Sequence, residues 1–158
     1  MKYFFSLVVF FIFSFSFSQT RNIEKLSFDY YHSHLVYSAF NVKFKINNKR
    51  EKVKLIFTKN EFRNKIKKKF NVPYEDFLKL KEAIFKINSK DFDDEFRLCI
   101  DGNSFYINFV EKENNIKKEG FYYFYCLNEN DINTNLKDFL DAVNLILKFS
   151  NLKFENLE

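Results

Sequence analysis

The sequence predicts an α+β domain: a mainly antiparallel sheet of about five to six strands, in the order strands, helices, strands, helix, covered by helices on one face. Three observations predict it. Segments near 40–59 and 96–127 alternate apolar and polar residues with period two, the repeat of a half-buried strand. Segments near 74–88 and 134–150 repeat apolar residues every three to four positions, the period of an amphipathic helix. Strand runs and helix runs are grouped rather than interleaved one by one, which favours an antiparallel sheet over βαβ units.

The first residues, MKYFFSLVVFFIFSFSFSQT, place Lys2 before an apolar run from Tyr3 to about Phe13, followed by alternating Phe and Ser. This is the layout of a secretory signal peptide, with Ser16 and Ser18 as the small residues required at the −3 and −1 sites. Cleavage is expected between Ser18 and Gln19, leaving a single domain over residues 19–158 that is exported to the periplasm or beyond. An uncleaved anchor would need ~20 predominantly apolar residues. The run here is shorter and is broken by Ser14, Ser16 and Ser18, so no span is expected in the mature chain.

LSFDYYHSHLVYS, from Leu26, reads as a strand, with a helix as the alternative. AFNVKFKIN (39–47) sets Phe40, Val42, Phe44 and Ile46 against Asn41, Lys43 and Lys45. NNKRE then turns the chain, and KVKLIFTK (52–59) returns with Val53, Leu55 and Phe57 on one side, forming a hairpin. From Asn60, a candidate N-cap, the spacing of Phe62, Ile66 and Phe70 predicts a short helix. Pro73 is suited to opening a second helix to about Asn88, striped by Phe77, Leu80, Ile84 and Ile87. After the polar loop NSKDFDDE, three strands are expected at about 96–101, 104–111 and 120–127. A closing helix from near Thr134 carries Leu136, Phe139, Leu140, Val143, Leu147 and Ser150 on its inner face.

Gly102 and Asn103, inside LCIDGNSFYINF (98–109), are residue types that tolerate the positive φ of a tight hairpin. A calcium loop would need further oxygen ligands and a bidentate Glu at fixed spacing. Strand follows instead, so Asp101–Ser104 is read as a turn. This LCIDG-x-x-FYINF hairpin, the aromatic strand GFYYFYCLNEN and the closing helix resemble a pattern in small exported bacterial proteins of unassigned function. The resemblance spans about residues 95–150 and implies architecture alone, with no activity and no site residues.

Phe, Ile, Asn, Lys and Tyr number 24, 12, 19, 22 and 9, whereas Gly, Ala, Pro and Arg number 2, 3, 1 and 4. The first group has A/T-rich codons, so mutational bias accounts for part of the lysine and asparagine content. Charge is nevertheless uneven. Residues 43–81 carry 14 Lys or Arg against 4 Asp or Glu, and residues 82–158 carry 9 against 15. The basic stretch implies an anionic partner if it is more than a solvated face. For an exported chain, that partner is an acidic protein or an anionic envelope component rather than nucleic acid.

His32 and His34 are the only histidines, and on a strand they would share a side and could share a metal. No third ligand is nearby in the sequence, so two polar residues on an aromatic strand is the plainer reading. Cys99 and Cys126 form an even pair that in an exported protein suggests a disulfide. If residues 96–127 form a simple meander, however, the two lie ~9.6 Å apart across two strand spacings. A bridge tolerates Cα separations up to ~7 Å, so bridged and free states both stand. Tyr122, Tyr123, Phe124 and Tyr125 alternate across the last strand, and exposed rings there would suit an interaction face. No GxSxG, HExxH, P-loop or GxGxxG occurs, and no cofactor is implied. The favoured function is an exported, non-catalytic interaction protein that binds another protein or an envelope component, an inhibitor- or immunity-type partner being one concrete form. The competing class is a small hydrolase or metal-dependent enzyme using His32 and His34.

Overall fold

A computed structural model of the chain describes residues 21–32, 38–61, 64–88, 103–125, 136–153 and 157. They form strands β1 (Asn22–His32), β2 (Ser38–Asn47), β3 (Lys52–Glu61) and β4 (Asn64–Val72), then helix α1 (Tyr74–Lys86). Strands β5 (Asn103–Glu113) and β6 (Ile116–Tyr125) follow, and helix α2 (Lys137–Phe149) comes last. The six strands make one sheet in the order β4-β3-β2-β1-β5-β6, with every neighbouring pair antiparallel. The domain is therefore α+β, as expected. Strand β1 lies inside the sheet, between β2 and β5.

Alternation decides which side chains are buried. Phe40, Val42 and Phe44 of β2 and Val53, Leu55 and Phe57 of β3 are buried, while the lysines between them are exposed. In β1, Ile23 and Leu26 are three apart yet both buried, because the register slips between Ile23 and Lys25. A bulge of this kind shifts the side-chain parity by one. Past it, Phe28 and Tyr30 continue inward. Rings then adjoin across the strands: Phe28 lies 5.9 Å from Phe40 and 6.2 Å from Phe105, and Phe40 lies 5.5 Å from Phe57. Phe28, Phe40, Phe44, Phe57, Phe77, Phe105, Phe109 and Phe139 thus set phenyl rings among the aliphatic side chains of the core. Both helices add rings to the same layer. Phe77 of α1 is 6.3 Å from Phe44, Phe85 is 6.5 Å from Phe109, and Phe139 of α2 is 6.0 Å from Phe124.

Three turns place non-glycine residues at positive φ. Glu51 (φ 50°) closes the short 3-10 segment Asn48–Arg50 between β2 and β3. Asn114 (φ 49°) and Asn115 (φ 65°) form the two-residue link between β5 and β6, the left-handed pair that matches strand twist. Asn151 (φ 57°) ends α2, with the Leu152 N–H donating to the Leu147 carbonyl at 2.9 Å in a Schellman closure.

In place of the short helix expected from Asn60, the described residues form the end of β3 and strand β4. A spacing of four is two full repeats of a strand as well as about one helical turn, so Ile66 and Phe70 fit either. One helix, not two, thus separates the two groups of strands among the described residues. The remaining helix expectations hold in kind, with α1 ending at Lys86 and α2 described from Lys137. Residues 1–20 and 89–102, with the expected leader, the DFDDE loop, the 96–101 strand, Asp101 and Gly102, lie outside the described residues. Strand β5 has β1 along one edge and β6 along the other over Ser104–Lys112, so neither edge there is open to a strand preceding it.

Candidate functional site

The side chains of opposite parity form the second face of the sheet. Strand register aligns them in rows that run across it. Asn71, Lys54, Lys45, Lys25, Val110 and Glu119 make one row from β4 to β6. The next holds Lys69, Ile56, Lys43, Ser27, Asn108 and Phe121. The third holds Lys67, Thr58, Asn41, Asp29, Tyr106 and Tyr123. Six strands at a spacing of ~4.8 Å give these rows a length of ~24 Å.

The face has two unlike halves. On β1 to β4, eight lysines share it, namely 25, 43, 45, 52, 54, 65, 67 and 69, and all eight are exposed. None of the eight forms an ion pair with another described residue. Lys45 stands directly opposite Lys25 on one side and Lys54 on the other. Like charges in direct cross-strand register repel, so this row works against the fold. Of the carboxylates on this side, Asp29 and Glu24 are engaged, and Glu119, beyond Val110 in the first row, is exposed. Asp29 Oδ1 accepts from Asn41 Nδ2 at 2.7 Å, and Glu24 pairs with Lys117 at 2.6 Å and Lys112 at 3.7 Å. The hydrogen bond from Lys117 holds the Glu24 carboxyl below its ordinary pKa against the opposing effect of desolvation, with the charges of Lys117 and Lys112 adding to it.

On β1, β5 and β6 the same face carries aromatic rings. Tyr106 stacks on Tyr123 at 4.3 Å, Tyr31 meets Tyr106 edge-on at 5.3 Å, and Tyr123 lies 6.4 Å from Tyr125. Phe121 is 71% exposed, and Tyr31, Tyr123 and Tyr125 are each somewhat over a third exposed. Between the halves lies an open depression of about 490 Å³. Lys25, Lys43 and Lys45 border it on one side and Glu119 and Phe121 on the other, with Ser27 and Asn108 between them.

The residues singled out from the sequence fall in different places. Tyr123 and Tyr125 are on this exposed face. Tyr122 and Phe124 point to the buried layer instead, where Tyr122 stacks on Phe109 at 5.5 Å and its hydroxyl donates to the Ile87 carbonyl at 3.2 Å. His32 ends β1 opposite Asn103, and its expected companion His34 lies outside the described residues, as do Cys99 and Cys126. Among the described residues, no group of three His, Cys, Asp or Glu is placed to hold a metal. The lysine rows were not singled out, although the K-x-K spacing at 43–45, 52–54 and 65–69 is their signal.

Two phenols are pushed up from an ordinary pKa of 10.0 to about 12. Burial does this to Tyr30, whose hydroxyl donates to the Leu157 carbonyl and lies 2.8 Å from Asn103 Oδ1. Burial also dominates at Tyr106, with the Tyr123 hydroxyl adding to it. The folded state therefore keeps protons that an unfolded tyrosine releases. Their stabilisation is intact below pH 10 and is lost as pH rises towards 12. The urea midpoint should fall across that interval, and more gently in a Tyr30→Phe, Tyr106→Phe variant.

The chain matches no protein-family model, no curated protein and no solved structure.

Proposed function

We propose that the protein is an exported, non-catalytic binding module that takes an anionic envelope component on the open face of its sheet. In this reading α1 and α2 cover the phenyl-lined face, leaving the lysine and tyrosine face to the partner. The observation that carries it is the alignment of eight exposed lysines on one face of β1 to β4. A fold with no use for that face gains by breaking the row of Lys25, Lys45 and Lys54, because each like-charged neighbour costs stability. The leader pattern of residues 1–18 supports export, and an envelope partner follows from it.

The test separates fold from function at Lys45. Lys45→Glu converts two repulsive pairs into attractive ones and should stabilise the fold by about 0.5–2 kcal/mol, each pair being worth roughly 0.2–1 kcal/mol. It should also elute from an immobilised polyanion at clearly lower salt. Lys148→Glu, an exposed change of equal net charge on α2, is the control. Equal elution of the two variants would refute the reading.

A further inference from the structure

We infer that the occupant of this face is the surface of an anionic lipid bilayer, a step that rests on the anion-binding reading above. Three features favour a lipid surface over other polyanions. The first is the choice of cation. The eight basic residues that β1 to β4 place on the face, and Lys112 and Lys117 on β5 and β6, are all lysines, in a chain of 22 Lys and 4 Arg. Protein interfaces are enriched in Arg and depleted in Lys, because the guanidinium fork fixes geometry whereas an ammonium acts as a point charge. A fluid sheet of head groups asks only for charge.

The second feature is the company the lysines keep. Phe121, 71% exposed, and the partly exposed Tyr31, Tyr123 and Tyr125 lie on the same face. Amphipathic rings settle at head-group depth. The third is the depression between the halves. Lys25, Lys43 and Lys45 give an anionic head group its counter-charges there, while Val110 and Phe121, with the exposed Glu119 beside them, line the far side. A flat bilayer engages both halves at once.

Co-sedimentation of the processed protein with vesicles tests this. Binding is expected to vesicles of 30% phosphatidylglycerol in phosphatidylcholine, not to phosphatidylcholine alone, and to weaken as salt rises. A Lys43→Glu, Lys45→Glu, Lys54→Glu variant should bind at least tenfold more weakly, and Phe121→Ser several-fold more weakly. A Lys86→Glu, Lys137→Glu, Lys148→Glu variant of equal net charge should bind as the unaltered protein does. Should the reversed sheet variant fail to fold, the corresponding glutamine substitutions serve, with the same direction expected. Absence of vesicle binding alongside retention on a polyanion through the sheet lysines would overturn the lipid assignment and leave the anion-binding reading standing. Equal vesicle binding by the sheet and helix variants would overturn it as well.

Discussion

Phe28→Ala should lower the stability of the fold by about 3–5 kcal/mol, the usual cost of deleting a buried phenyl ring. Phe28 has no exposed surface and sits in β1, with Val42 opposite it on β2 and Ile107 on β5. Its ring adjoins those of Phe40 and Phe105, so its loss leaves a cavity walled by large rings on two strands. Those neighbours are held by rings of their own. Phe40 lies 5.1 Å from Tyr30, and Phe105 lies 5.3 Å from it. The cavity therefore cannot close by small shifts. Against a typical total of about 5–15 kcal/mol, such a loss should leave much of the protein unfolded under mild denaturant. Urea titration followed by circular dichroism checks it, and a cost below about 1 kcal/mol would show that the ring contributes little.

The second large effect is expected at Gly120, from the opposite cause. A Cβ built there would lie 2.4 Å from Cζ and 2.7 Å from Cε2 of Phe109, its register partner on β5. The ring has little room to retreat, since Tyr122 stacks on it at 5.5 Å and Phe85 meets it edge-on at 6.5 Å. Gly120→Val should cost about 1–3 kcal/mol through overpacking. Adding Phe109→Leu should recover part of that loss, because the two changes share one contact. A double variant whose cost equals the sum of the two singles would show that the clash is not the cause.

The β2–β3 hairpin and α1 were legible because each shows a single period with its breakers in place: NNKRE between the strands and Pro73 before the helix. Strand β4 was not. Ile66 and Phe70 satisfy both periods, and strand pairing with β3, a tertiary event, decides between them. Asn114 and Asn115 carried a turn signal as clear as the one at Gly102, and it places the β5–β6 hairpin where the aromatic strand had been given a later start. The alternation of Tyr123 and Tyr125 against Tyr122 and Phe124 could be read directly, but which pair faced outward depended on the packing of Phe139 and Phe109. The lysine face was the least visible. Each K-x-K stretch places its lysines on one side of its own strand, yet only the register of four strands puts all of them on the same side.

The position of β1 has a consequence for the order of events during synthesis. Leu26 pairs with Phe109 and Tyr30 with Phe105, contacts that span about half of the chain. Strands β2 to β4 can form local hairpins as soon as they emerge, but the seam between β1 and β5 must wait for the last third of the polypeptide. Until then the phenyl-lined face has neither its fifth strand nor α2. Contacts between distant parts of a chain close slowly, so the nascent protein spends its early life without a committed native state.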